Sequence, residues 1–138
     1  MSNPDGSPDI AELTLAHRGG TFDARTLRPV NPGRGYVVSV TSEQNACAPE
    51  RIAILETVIF RIMRDYPDAP YIGTWENPED GLIYVDPVTI LPRKRDALRL
   101  ARKHEQVAIY DIKRGIEVYV DPIPADEGSR GVWDAMLP

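Results

Sequence analysis

The sequence predicts an α+β domain, a mostly antiparallel sheet with two helices on one face, and three observations carry that expectation. Residues 49 to 66 hold Ile52, Leu55, Val58, Ile59, Ile62, Met63 and Tyr66 at the 3.6-residue period of a helix that lays one apolar stripe on a sheet. Residues 71 to 76 and 82 to 86 are strand-like runs around Asn77-Pro78-Glu79-Asp80-Gly81, a loop of hairpin length whose glycine accepts positive φ. Residues 82 to 120 then read as a strand, a basic amphipathic helix and a tight hairpin with almost no spare chain.

From the start of the chain, residues 1 to 8 are rich in Pro, Gly, Ser and Asn and are expected to be mobile. Ser7 as N-cap, Pro8 at the first helical position, Asp9 in the first turn and Gly19 past the end mark a short helix over 8 to 17, although Leu13 to Ala16 would also serve as a strand. Gly20 to Gly35 reads as an extended connector with Pro29 and Pro32, and Tyr36 to Val40 as a strand with Tyr36, Val38 and Val40 on one face. The long helix opens at Pro49 or Glu50 and stops before Pro67, with Ile54 and Phe60 off its stripe.

The second long helix, 93 to 105, carries Ala97, Leu98, Leu100, Ala101 and His104 on one side and Arg95, Arg99, Arg102 and Lys103 on the other. Its bases crowd toward the C-terminal end, where the helix dipole favours each by about 0.3–1 kcal/mol when exposed. Val107 to Ile112 and Ile116 to Val120 are strands joined by the three-residue loop Lys113-Arg114-Gly115.

In order, the elements spell β, α, β, β, α, β plus an extra C-terminal strand, the split βαβ arrangement of ferredoxin-like sandwiches. Pro87 is the discordant residue: with no N–H to donate, it is expected to end or bulge its strand at Asp86 or to hold that strand at an edge. The organisation expected is an N-terminal arm over 1–35, largely extended, a core domain over 36–122 and a tail over 123–138.

Composition narrows the function classes. The 138 residues suit one domain, and 42% apolar with 27% charged is ordinary for a soluble globular protein rather than a disordered one. Cys47 is the only cysteine, which excludes an intramolecular disulfide framework and a four-thiolate zinc site. Residues 1 to 20 lack a basic segment followed by an apolar run, and no stretch approaches the ~20 apolar residues of a membrane helix, so a cytoplasmic chain with no membrane association is expected. Net charge is −5, yet Asp65, Asp68, Glu76, Glu79, Asp80 and Asp86 occupy 65 to 86 without a single Lys or Arg, while Arg93, Lys94, Arg95, Arg99, Arg102 and Lys103 face only Asp96 between 93 and 103. Such a dipole bears on association.

No motif marks a cofactor, a metal or a catalytic group. Tyr84-Val85-Asp86-Pro87 recurs as Tyr119-Val120-Asp121-Pro122; Asp86 and Asp121 could form a carboxylate pair, but two strands leaving through Asp-Pro turns explain the echo more simply. Nothing local activates Cys47 toward His17 or His104, and His104 reads as a packed histidine. Arg18-Gly19-Gly20-Thr21 reads as a turn, since it neither follows a clear strand nor opens a helix as a phosphate loop does. The binding residues expected are Arg95, Arg99, Arg102 and Lys103 on the basic helix and Trp133, Met136 and Leu137, at helical spacing in an apolar tail that folds back or docks on a partner or a second protomer. Ile54 and Phe60 are candidate receivers for self-association into a homodimer.

Gly19-Gly20-Thr21-Phe22-Asp23, Gly73-Thr74-Trp75 followed by Tyr84-Val85-Asp86, and Ala97-Leu98 through Gln106-Val107-Ala108-Ile109-Tyr110-Asp111 resemble segments of short uncharacterised proteins of actinobacteria and their bacteriophages. The likeness covers about 19 to 120 and brings no known activity. It implies a phage or prophage accessory protein in the bacterial cytoplasm, and hence a non-enzymatic module that binds a host or viral protein. Arg95, Arg99 and Arg102 would steer an acidic partner, and Trp133 would anchor it. The alternatives are a small enzyme built on Asp86, Asp121 or His104, and a nucleic-acid binder using the basic helix, against which the acidic total and the lack of a base-stacking motif stand.

Overall fold

The computed structural model describes residues 3–120. It is an α+β fold in which every strand pairing is antiparallel. In chain order the elements are α1 (Ile10–His17), β1 (Gly19–Asp23), β2 (Tyr36–Ser39), β3 (Ala46–Cys47), a 3₁₀ segment (Pro49–Ile54), α2 (Leu55–Asp65), β4 (Tyr71–Glu76), β5 (Ile83–Leu91), α3 (Lys94–Lys103), β6 (Ala108–Asp111) and β7 (Ile116–Tyr119). The sheet runs β1-β4-β5-β2-β6-β7, with β3 added to β5.

The N-terminal arm is part of this sheet. Asp9 and Glu12 form a reciprocal capping box, each side chain accepting the other's backbone N–H at 2.9 Å, so α1 starts at Ile10 and its cap is Asp9 rather than Ser7. The next segment is no turn: Arg18 caps α1 at φ 62°, and Gly19 opens β1, which pairs with β4 from Gly19↔Trp75 to Asp23↔Tyr71. Ile10 and Phe22 are buried in the larger core with Leu55, Val58, Ile59, Ile62, Ile72, Ile83 and Val85, each worth about 1.5–3 kcal/mol when fully buried. The Thr14 and Thr74 hydroxyls share a buried hydrogen bond of 2.7 Å that joins α1 to β4. Residues 3 to 8 are also tied down: Arg28 donates to Ser7 Oγ at 2.7 Å and to the Asp5 carboxylate at 3.1 Å. Hydrogen bonds from Ser7, joined by that guanidinium, pull the Asp5 pKa down to about 2.

Pro87 lies inside β5, the longest strand, and neither ends it nor bulges it. Its register with β4 is unbroken from Tyr71↔Val88 to Glu76↔Ile83. In an antiparallel ladder a residue's N and O point to the same neighbour, and the Pro87 carbonyl accepts from Val40 N at 2.9 Å, on the β2 side. On that side β2 stops at Ser39↔Val88 and Val40 stands opposite Pro87, so the missing N–H forgoes the reciprocal bond to Val40 where β2 ends, and β5 runs on to its pairing with β3 at Ala46↔Tyr84.

The remaining differences are local. Helix formation over 49–54 is 3₁₀, because Arg51 (φ −110°, ψ 25°) departs from helical geometry before α2 begins. The β6–β7 connection is four residues, 112–115, closed by Asp111↔Ile116 and by Gly115 N donating to Asp111 O at 2.8 Å, with Gly115 at φ 67°. A smaller core joins Val38, Ile109 and Val120 to Ala97 and Ala101 of α3, whose two alanines bring that helix close to the sheet. Glu105 (φ 57°) then reverses the chain, and Gln106 N donates back to Ala101 O at 2.8 Å.

Candidate functional site

With Ala97 and Ala101 buried, α3 turns Arg95, Arg99 and Lys103 outward at successive four-residue steps. None of the three has an ion-pair partner among the described residues; Arg102 is half-buried and already engaged. The helix also begins at Lys94, which leaves Arg93, Lys94 and Arg95 at the positive end of its dipole, and no side chain caps it. Only Arg102 and Lys103 enjoy the favourable end.

Cations continue beside this helix. β2 begins, β5 ends and β6 ends at one edge of the sheet, where Tyr36 pairs with both Leu91 and Asp111. Three loops meet there, and a half-open cleft of about 720 Å³ lies among them, lined by Pro32, Arg34, Gly35, Tyr36, Ile90, Pro92, Asp111, Lys113 and Arg114. Gly35 N–H and C=O belong to a loop that must be glycine here: φ is +116°, and a Cβ would stand 2.8 Å from Ile90 Cγ2. Its carbonyl accepts from Ile112 N at 3.0 Å, which holds the first loop against the end of β6. Asp111, buried, accepts from the Arg114 backbone N at 3.2 Å.

Other sequence candidates fall apart from this edge. Asp121, Trp133, Met136 and Leu137 lie outside the described residues. Phe60 is 71% exposed on α2, and Ile54 is exposed at the end of the 3₁₀ segment. Cys47 is buried in β3, where burial pushes the thiol pKa up, the reverse of an activated nucleophile. Asp86 stands mid-strand in β5, opposite Gly73; burial pushes its carboxyl up to about 6, and no described residue hydrogen-bonds it. Among the described residues no group of three or more His, Cys, Asp or Glu is arranged to hold a metal ion, and no helix is long and apolar enough to cross a membrane.

The cleft was not singled out by sequence. Its signal is a repeated pattern, a cation beside a positive-φ glycine in Gly33-Arg34-Gly35 and again in Lys113-Arg114-Gly115, two loops that only the β2–β6 pairing brings together. No family model, curated protein or solved structure matches the chain.

Proposed function

We propose that this chain is a non-enzymatic binding module, an accessory protein of a bacteriophage or prophage in the bacterial cytoplasm, whose α3 face takes an acidic surface of a host or viral protein. One observation carries the reading: Arg95, Arg99 and Lys103 are exposed, aligned and without ion-pair partners among the described residues. Like charges at this spacing cost a helix about 0.2–0.5 kcal/mol per pair, a cost that an anionic partner removes. Fixing the helix on alanines adds rigidity, which lowers the entropy lost on binding.

The scaffold proposed is the split βαβ frame with α2 and α3 on one face. The strand order 71–76, 83–91, 36–39, 108–111 supports it. Register parity does too, since Val38, which packs on α3, stands opposite Thr89, and Thr89 shares its side of β5 with Ile83 and Val85, which pack with α2. In the same proposal Trp133, Met136 and Leu137 supply an apolar anchor from the tail, and Ile54 with Phe60 a contact for a second copy.

The test is capture from nuclease-treated bacterial lysate at about 50 mM salt, where Debye screening is weak. The intact chain should retain a protein that Arg95→Glu, Arg99→Glu, Lys103→Glu releases and that raised salt elutes. Equal capture by the charge-reversed variant rejects the reading. Nucleic acid as the retained species before nuclease treatment, with no protein after it, rejects it as well.

A further inference from the structure

We propose that the cleft between loops 31–35, 91–93 and 112–115 is a binding site for a phosphorylated small molecule of nucleotide size. Its volume of about 720 Å³ falls in the range of small-ligand sites. Its lining is divided in the way such sites are: Pro32, Tyr36, Ile90 and Pro92 contribute apolar surface, while Arg34, Lys113 and Arg114 supply charge.

Three cations set against the single carboxylate of Asp111 leave two net positive charges in the lining. That carboxylate already accepts the Arg114 amide, and none of the three cations is paired with a described residue. Guanidinium groups match phosphate oxygens in pairs, and two of the three are guanidinium, so phosphate suits the charge better than a lone carboxylate does. The cations come from two loops that meet through β2–β6 pairing and the Gly35–Ile112 hydrogen bond, so the fold itself brings them together. The α3 cations are not needed for this site, and it stands or falls separately from the protein-binding face.

The probes are ATP, inorganic pyrophosphate and adenosine, added to the full-length isotope-labelled protein at about 50 mM salt to limit screening. ATP and pyrophosphate should move the backbone amide signals of Gly35, Tyr36 and Lys113 to Gly115, with ATP the tighter of the two and adenosine the weakest. Arg34→Ala, Lys113→Ala, Arg114→Ala should weaken ATP at least tenfold with the remaining spectrum unchanged, and Arg95→Ala, Arg99→Ala should leave it within twofold. Absence of shifts with millimolar pyrophosphate and ATP overturns the site, as do shifts that follow α3 instead of the cleft or ATP binding that survives the triple change. Should the triple variant misfold, single Lys113→Gln and Arg114→Gln changes provide the same reading, each expected to weaken ATP by several-fold.

Discussion

At the Ile83 end of β5 the hairpin loop carries Glu79 and Asp80, and its polar groups satisfy one another. Asn77 Oδ1 accepts from Glu79 N at 2.8 Å, Asp80 Oδ1 from Leu82 N at 2.9 Å, and Asp80 Oδ2 from the Tyr84 hydroxyl at 2.5 Å. At the Leu91 end, about 27 Å away along a nine-residue strand, Arg34, Arg93, Lys94, Arg95, Lys113 and Arg114 make no ion pair with any described residue. Both ends are charged; each uses a carboxylate, Asp80 or Asp111, to hold its own loop, but the cations of the basic end hold nothing within the described residues. An end whose cations are idle in the isolated chain is the end that gains most from an outside counter-ion.

The largest expected effect comes from breaking the backbone approach beside the acidic end. Gly19 (φ +148°) lies where an added Cβ would meet Thr74 O at 2.5 Å, a backbone atom held in the β1–β4 ladder. Gly19→Ala should therefore cost about 2–3 kcal/mol in urea unfolding, the range for a strained backbone site. Gly35→Ala at the basic end, also at positive φ (+116°), meets the Ile90 side chain at 2.8 Å and the Leu91 carbonyl only at 3.4 Å, and should cost about 1–2 kcal/mol because the Ile90 methyl can shift while the backbone strain remains. A larger loss at Gly35 than at Gly19 would show that the cleft loop is the more rigid of the two.

Between the ends, Asp86 gives a pH-dependent prediction. Its carboxyl is raised by burial to about 6 from the usual 3.8, so the folded protein holds that proton more tightly than the unfolded chain. The fold is then most stable below the unfolded value, loses stability as pH climbs from 3.8 to 6, and changes no further above that through this group. Asp86→Asn should thus stabilise by about 1–3 kcal/mol at pH 7.5 and by almost nothing at pH 4, since each pKa unit is about 1.4 kcal/mol. Urea melts at both pH values decide it, and equal effects at the two would assign the change to packing alone.

How much of this was legible in the sequence differs between the same regions. The α2 stripe and the hairpin around Gly81 follow from local periodicity and turn chemistry, and the structure buries Leu55, Val58, Ile59 and Ile62 and sets Gly81 at φ +73°. The place of Pro87 inside β5 is not legible locally, because its tolerance depends on where two other strands stop, a fact that no local window contains. That the arm joins the sheet is hidden from the sequence for a similar reason. Gly19-Gly20 is a poor strand former, and β1 exists because β4 offers it an edge. The basic helix was visible; the cleft was not, since Arg34 and Lys113 are nearly eighty residues apart and only the fold makes them neighbours.

A smaller effect belongs to the acidic hairpin. The Tyr84 hydroxyl and the Leu82 amide hold the Asp80 carboxyl below its usual range, and the same bond raises the Tyr84 hydroxyl. Stability from this contact is present above the unfolded carboxyl value and is lost as pH falls through the lowered one. In an NMR titration the Asp80 midpoint should lie below 3.8 and rise in Tyr84→Phe. An unmoved Asp80 midpoint in Tyr84→Phe would mean that the loop does not use its charge as described.

The smallest effect is also the most diagnostic for the basic helix, because its sign opposes that of every change above except Asp86→Asn. Arg95, Arg99 and Lys103 repel along α3, and Arg95 also sits at the wrong end of the dipole. Replacing Arg95 and Arg99 by Gln removes both liabilities at little cost in helix propensity, so the double variant should be more stable than the parent by about 0.3–1 kcal/mol at low salt. The gain should fade toward zero in high salt, where the repulsion is screened in the parent too. A residue set that destabilises its own helix while improving capture of an acidic partner is maintained for the partner; a double variant that is less stable at low salt would instead make these arginines part of the fold's own support.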